Sequence, residues 1–280
     1  MAQAKSIIFC ADDYAASGAI SRGIITLARA GRLTATSVMT LSPRWAQDAP
    51  ALRELRGQID VGLHLDWTSP FARAAGHGLP LGRALLRAAL GGIGRDGARA
   101  VLERQLAAFE AQWRAPPDHV DGHQHVQQLA GIRQALVETL ARRYPAQMQG
   151  ANRGPWLRVS RVGAGQAGLK GRLITALGAS ALARLARRVG LPCTPELWGV
   201  YDFAGGPVRY AALLQDWLAR APARAVLMCH PADGPDDAAG AFADAIAQAR
   251  QWEYTTLGSA ALDQMLTRHG AAAVRGSAVL

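Results

Sequence analysis

Seven short runs of apolar and β-branched residues recur along the chain, and each leads into a stretch with helical periodicity. The runs are SIIFCA (6–11), TATSVMT (34–40), IDVGLHL (59–65), DHVDG (118–122), WLRVS (156–160), ELWGV (196–200) and RAVLMC (224–229). Helices are predicted over 18–31, 44–56, 98–114, 129–143, 168–189, 208–220 and 236–252, with a further one near 258–269. Strands that alternate with helices in this way pair in parallel, because each helix carries the chain back to start the next strand. The expectation is an α/β fold. It would be a single distorted (β/α) barrel, TIM-like, of about seven parallel strands, spanning residues 1–280 as one domain. A doubly wound open sheet is the alternative. The glycine-rich stretch 71–97 reads as a long loop carrying a short helix on the face where barrel loops do their work.

Bulk properties narrow the classes. A chain of 280 residues, half of them hydrophobic, can bury a sizeable core. No uninterrupted apolar run reaches the roughly 18 residues of a membrane span. The opening MAQAKSIIFCADDY has no long apolar stretch ending in a cleavage site, so the expected location is cytoplasmic. Cys10, Cys193 and Cys229 are odd in number and lack metal-motif spacing, and Cys10 and Cys229 read as buried small hydrophobes. The net charge is +10, and of 31 basic residues only Lys5 and Lys170 are lysine. The arginines are scattered, with no basic run interleaved with aromatics, so nucleic acid is not an expected partner. The segment 168–192 places Arg172, Arg184, Arg187 and Arg188 beside a leucine-rich face. An ordinary outer helix is the plain reading; peripheral contact with an anionic membrane is the sharper one.

The chemistry concentrates at strand ends. The first run goes directly into Asp12 and Asp13, and carboxylates are seldom buried without a positive partner. His64 ends the third run. Asp121, His123 and His125 stand at alternate positions at the end of the fourth, and in extended chain they would line one side. Two imidazoles and one carboxylate suit a divalent metal. Such a metal accounts for one aspartate of the pair, and the other is left to accept a proton from water. His230, after the seventh run, could give a proton to a leaving group or simply cap its strand. Trp67, Trp156 and Trp198 lie near strand ends, where either sugar stacking or core packing would employ them.

The motifs CADDYAASGAISRGIITLARAGRLTATSVMT, DVGLHLDWT, PPDHVDGHQHV and LMCHPADG resemble, in order, the YdjC-like carbohydrate deacetylases, a family related to diacetylchitooligosaccharide and hopanoid-associated deacetylases. The resemblance covers about residues 5–235. It implies a distorted (β/α) barrel, a divalent metal (magnesium or zinc) and hydrolysis of an N-acetyl group on an amino sugar or glycolipid. By position it implies Asp13, His64 and His123 as metal ligands, Asp12 as general base and His230 as acid. Asp121 and His125 fall in the same motif, as supports of the ligands or substrate contacts. Cys10, Tyr14, Ala15 and Gln127 depart from the family pattern, and 140–200 matches weakly. Two other functions compete: a non-catalytic sugar- or lipid-binding barrel, and a different metalloenzyme with a two-histidine, one-carboxylate site such as a non-haem iron oxygenase. Oligomeric state is open, with a homodimer as the candidate.

Overall fold

The first strand, β1 (Lys5–Tyr14), organises a curled parallel sheet. The structure is a computed structural model and describes residues 4–145, 154–166, 168–235 and 244–280. Its other strands are β2 (Ala35–Val38), β3 (Asp60–Leu65), β4 (His119–Gly122), β5 (Trp156–Leu157), β6 (Leu197–Trp198), β7 (Ala225–Cys229) and β8 (Ala271–Ala273). They lie in the order β5-β4-β3-β2-β1-β7-β6, all parallel. β8 takes the lower part of the β1 edge, beside Lys5–Ile7, and β2 takes the upper part from Cys10 onward. Single bridges from Leu157 to Cys193 and from Val162 to Leu197 link the two ends of the curl. The result is a distorted, TIM-like α/β barrel.

Every residue of β1 from Ile7 to Tyr14 is buried, as an unbroken apolar run predicts for a strand covered on both faces. The period of two then sorts its side chains. Ile7, Phe9 and Ala11 pack in the large cluster with the surrounding helices. Ile8 and Cys10 join a second cluster with Ala35, Trp156, Leu197, Val226 and Met228. Val274, Val279 and Leu280 pack against this second cluster. Trp156 is locked there, stacked on His119 with its indole N–H donated to Asp60, and sugar stacking is thereby ruled out for it. Gly62 makes this stack possible: a Cβ there would fall 2.4 Å from the His119 ring. Asp12 continues the Cys10 side of β1 toward the mouth.

Most elements fall where the sequence pattern puts them. Four differences have physical causes. β5 and β6 have only two residues each, because the chain beyond them bends into bridges rather than a ladder. β8 is an alanine run with no strand signal of its own, and it exists by pairing with β1. The stretch 71–97 holds more helix than a single short piece: α3 (Pro70–Ala74), α4 (Leu81–Ala89) and the start of α5 (Arg95–Trp113). The segment 168–189 is two helices, Gly168–Ala176 and Ala179–Arg188, broken at Gly178, whose φ of 131° only glycine adopts readily. Of the helix predicted at 236–252, residues 236–243 lie outside the described residues and the remainder begins at Ala247. Among the described residues, no helix is long and apolar enough to cross a membrane.

At the foot of β4, Asp118 accepts a hydrogen bond from the Val61 N–H at 2.8 Å. Burial is the main influence on its carboxyl, and with Asp60 nearby it lifts the pKa from 3.8 to about 6 despite that bond. An acid raised in the folded state opposes folding above its folded pKa, and the penalty vanishes below its unfolded one. Asp118→Asn is therefore expected to raise thermal stability at neutral pH by on the order of 2 kcal/mol. The gain should fade as pH falls through 6 toward 4. A calorimetric series that shows equal or lower stability for the variant at neutral pH would contradict this assignment.

Candidate metal centre and its proton-transfer partners

In a regular strand Asp12 and Asp13 would point to opposite faces. The structure avoids this with a bulge. Between Ala11 and Tyr14 the register against β2 slips by one residue, and Asp13 takes a left-handed φ of 69°. Aspartate tolerates that conformation better than most residues, though it still costs about 1–3 kcal/mol. The turn is fastened locally. Ala16 N–H donates to the Asp13 carbonyl, Ser21 Oγ accepts from Ala15 N–H, and Ser42 Oγ donates to the Ala15 carbonyl. Ser17 then caps the helix α1 (Gly18–Arg29) by accepting from Ile20 N–H. Both carboxylates consequently reach one histidine. His64 Nε2 lies 3.4 Å from Asp13 Oδ1 and 3.9 Å from Asp12 Oδ2.

Asp13, His64 and His123 converge. His123 Nδ1 is 3.2 Å from the same Asp13 oxygen that faces His64. The three donor atoms lie within 4.8 Å of one another, although no two of these residues are neighbours in sequence. The other Asp13 oxygen accepts from Arg250 at 2.7 Å. Burial alone would raise the Asp13 carboxyl; the Arg250 guanidinium and the bonds from His123 and His64 outweigh it and hold the group well below the usual carboxylate range. On the far side of the ring, His64 Nδ1 donates to Asp121 Oδ1 at 2.6 Å, with Ser37 Oγ at 3.0 Å. In the neutral ring that bond would place the lone pair on Nε2, the atom aimed at the cluster. Burial works against a charged His64, yet Asp121 and Asp12 pull its pKa up to about 10. The donor set fits a divalent cation: one ionised carboxylate oxygen, two imidazole nitrogens and a carboxylate behind one ring.

Asp12 is held differently. Arg158, fully buried, forks onto both of its oxygens at 2.5 and 2.7 Å and also reaches Asp121 Oδ2 at 3.0 Å. The fork uses one direction at each oxygen. Asp12 Oδ2 still lies 3.9 Å from His64 Nε2 on one side and 3.9 Å from His230 Nε2 on the other. His230 follows β7, and its backbone N–H donates to Glu253 Oε2. Glu253 Oε1 lies 3.9 Å from His230 Nδ1 and accepts from the Tyr201 hydroxyl at 2.7 Å. Phe203 meets the His230 ring edge-on at 5.4 Å. This histidine is braced from below and along one side.

Of the residues singled out from sequence, Asp12, Asp13, His64, His123 and His230 are brought together. Asp121 lies directly behind His64, fully buried, where it can support that ring but touch no substrate. Burial would raise its carboxyl; Arg158 and His64 hold it well below the usual range. His125 corrects the expectation of one extended face. β4 ends at Gly122, and His123–Gln128 forms a tight 3₁₀ turn with left-handed Gln124 and His125. His125 turns to Ser160, with Nδ1 3.0 Å from its Oγ. Burial and the charge of Arg158 push its pKa well down, so it stays neutral. Trp67 and Trp198 are both buried. Arg158, Arg250 and Glu253 escaped the sequence reading. Arg158 carried a signal, a lone cation inside the apolar run WLRVS; Arg250 and Glu253 sit in helix Ala247–Gly258 with nothing to mark them.

Fold and donor set together describe a curled parallel α/β barrel with a two-histidine, one-carboxylate cluster at the carboxyl ends of its strands. The chain belongs to the YdjC-like protein family, whose profile matches residues 6–268. Its relatives include a carbohydrate deacetylase of Mus musculus, 33% identical over an alignment of 146 residues, with 48% of this chain and 46% of the relative covered. A chitooligosaccharide deacetylase of Serratia marcescens is 31% identical over an alignment of 151 residues, with 49% of this chain and 56% of the relative covered. The chain thus spans about half the length of these curated relatives. Among solved structures, a protein of Enterococcus faecalis V583, provisionally described as a cellobiose-phosphate cleavage protein, superposes with a TM-score of 0.73. It covers 99% of both chains at 18% identity, a likeness of fold.

The geometry predicts how cation binding responds to substitution. His64→Ala together with His123→Ala should abolish binding of a divalent cation by the purified protein. Asp121→Asn should leave the protein able to bind but weaken affinity about tenfold to a hundredfold, since it removes the charge behind His64. Titration calorimetry with zinc checks both, and an unaltered affinity in the double variant would rule the cluster out.

Proposed function

We propose that this site hydrolyses an N-acetyl group from an amino sugar, free or carried on a glycoconjugate, with a divalent cation held by Asp13, His64 and His123. The observation that carries the reading is the division between neighbouring aspartates. Asp13 turns one oxygen to two imidazoles, while Asp12, 3.9 Å from the same His64 nitrogen, turns an oxygen toward His230. The names of the relatives support the acetylated sugar as substrate.

When bound, a divalent cation supplies Lewis acidity, polarising an acyl carbonyl and making water beside it more acidic. Asp12 Oδ2 accepts the proton of the attacking water, and Arg158 keeps that carboxylate in place throughout. His230 Nε2 stands across the gap from Asp12 and donates the proton that the departing amine needs. Glu253 and Tyr201 hold His230 in position for that transfer. Acetate and a free amine leave. A binding-only barrel would have no use for a buried carboxylate poised between two histidines.

Acetate release from a panel of N-acetylated amino sugars, assayed with and without a chelator, tests this reading. Release should stop with chelator and return with added divalent cation. Asp12→Asn should bind the cation at near-normal affinity and lose about 10²–10⁴-fold in turnover, since an amide cannot accept the proton. Near-normal turnover by that variant would overturn the assigned roles.

A further inference from the structure

Two insertions on the face where the strands end share an unusual surface. The first, between β3 and β4, covers residues 67–95 and contains Arg73, Arg83, Arg87 and Arg95 but no aspartate or glutamate. The second, residues 154–195, contains Arg161, Lys170, Arg172, Arg184, Arg187 and Arg188 besides the buried Arg158, again with no acidic residue. Each carries a helix with two exposed leucines one turn apart. In and just beyond α4, Leu86 and Leu90 are 61% and 77% exposed. In helix Gly168–Ala176, Leu169 and Leu173 are 67% and 58% exposed. The remaining large exposed hydrophobics among the described residues are Val189 and Val208. Side chains four apart on a helix share a face, so each leucine pair makes a small apolar ridge. Arg83 and Arg87 are exposed beside the first ridge, and Lys170 and Arg172 beside the second.

Both insertions contact the chain from the His123 turn into the next helix. Ile93, just after α4, packs so closely on Gly131 that a Cβ there would meet the Ile93 carbonyl at 2.3 Å. Gln128 Nε2 donates to the Ile174 carbonyl at 2.5 Å. Both insertions are thus anchored on chain that follows closely after His123.

We propose that these two ridges form a docking surface for an anionic lipid bilayer, on which the mouth of the barrel rests. The occupant follows from the chemistry. Leucines flanked by arginines, with no carboxylate within either insertion, match a surface that is apolar within and negatively charged at its headgroups. A protein partner would be expected to meet a patch of mixed polarity, and a second copy of this chain would set these arginines against one another. The proposal is independent of the reaction assigned to the site. It extends the membrane reading of 168–192 and moves its centre from Arg184, Arg187 and Arg188 to the leucine ridges.

Co-sedimentation with vesicles tests it. The full chain should pellet with phosphatidylcholine vesicles containing phosphatidylglycerol, bind pure phosphatidylcholine far less, and be released by salt. Arg83→Ser with Arg87→Ser should weaken partitioning roughly thirty-fold, at about fivefold per charge. Leu86→Ser, Leu90→Ser, Leu169→Ser and Leu173→Ser together should abolish binding while the circular dichroism spectrum and melting temperature stay near wild type, because all four side chains are exposed. Failure of the wild type to bind anionic vesicles would overturn the proposal. So would undiminished binding by the four-leucine variant. A wild-type dimer in sedimentation velocity that the same variant converts to monomer would assign the ridges to self-association instead and equally overturn it.

Discussion

Two buried guanidinium groups hold a cluster of carboxylates together at the mouth of the barrel. Asp12, Asp13 and Asp121 are each almost wholly out of water. Three such charges in one place would be prohibitively costly without compensation. Arg158 spans Asp12 and Asp121, and Arg250 holds Asp13 while its Nε donates to Asp244 at 2.6 Å. Against its burial, Asp121 and Asp12 raise His64 to about 10, which adds a third positive charge to the cluster. Removing one partner from a buried pair of this kind typically costs about 3–5 kcal/mol. The arginines also sort the aspartates. Each takes different lone pairs, so one neighbour faces the imidazoles through a single oxygen and the other faces the gap toward His230.

The barrel makes this arrangement possible through its period of two. On β1 the interior side runs from Ile8 through Cys10 to Asp12. On β4 and β5 the apolar floor, with His119 stacked on Trp156, gives way one step higher to Asp121 and Arg158. On β3, Gly62 clears space below and His64 stands above. Parallel strands bring these steps to the same height, so residues from β1, β3, β4 and β5 meet with no sequence proximity. The bulge at Asp13 is the one departure, and it is what brings a second carboxylate to the same side. Strain of this kind persists only where the surroundings fix it, as the bonds to Ser21, Ser42 and Arg250 do here.

Much of this was legible in the sequence. The strand-helix alternation specified the parallel sheet because periodicity is a local property. The ends of the runs specified Asp12, Asp13, His64, His123 and His230 because barrel strands present their carboxyl ends to one face. Other features depend on contacts between distant segments. β8 has no strand signal beyond its pairing with β1. His125 points to Ser160 because of a left-handed turn that alternation alone does not reveal. Arg250 is one arginine among many and acquires its role only when its helix packs beside β1 and β7. Arg158 escaped as well, although it left a signal: two adjacent aspartates need a positive partner, and WLRVS sets a cation inside an apolar run.

The central claim is that Asp13, and not Asp12, turns its carboxylate to the cation. Anomalous diffraction from crystals soaked in a divalent metal tests it most directly. The account predicts a single peak bounded by Asp13 Oδ1, His64 Nε2 and His123 Nδ1, with Arg158 still forked onto Asp12 and Arg250 still on Asp13. A peak ligated by Asp12 with Arg158 displaced, or one between Asp12, His64 and Asp121, would contradict it.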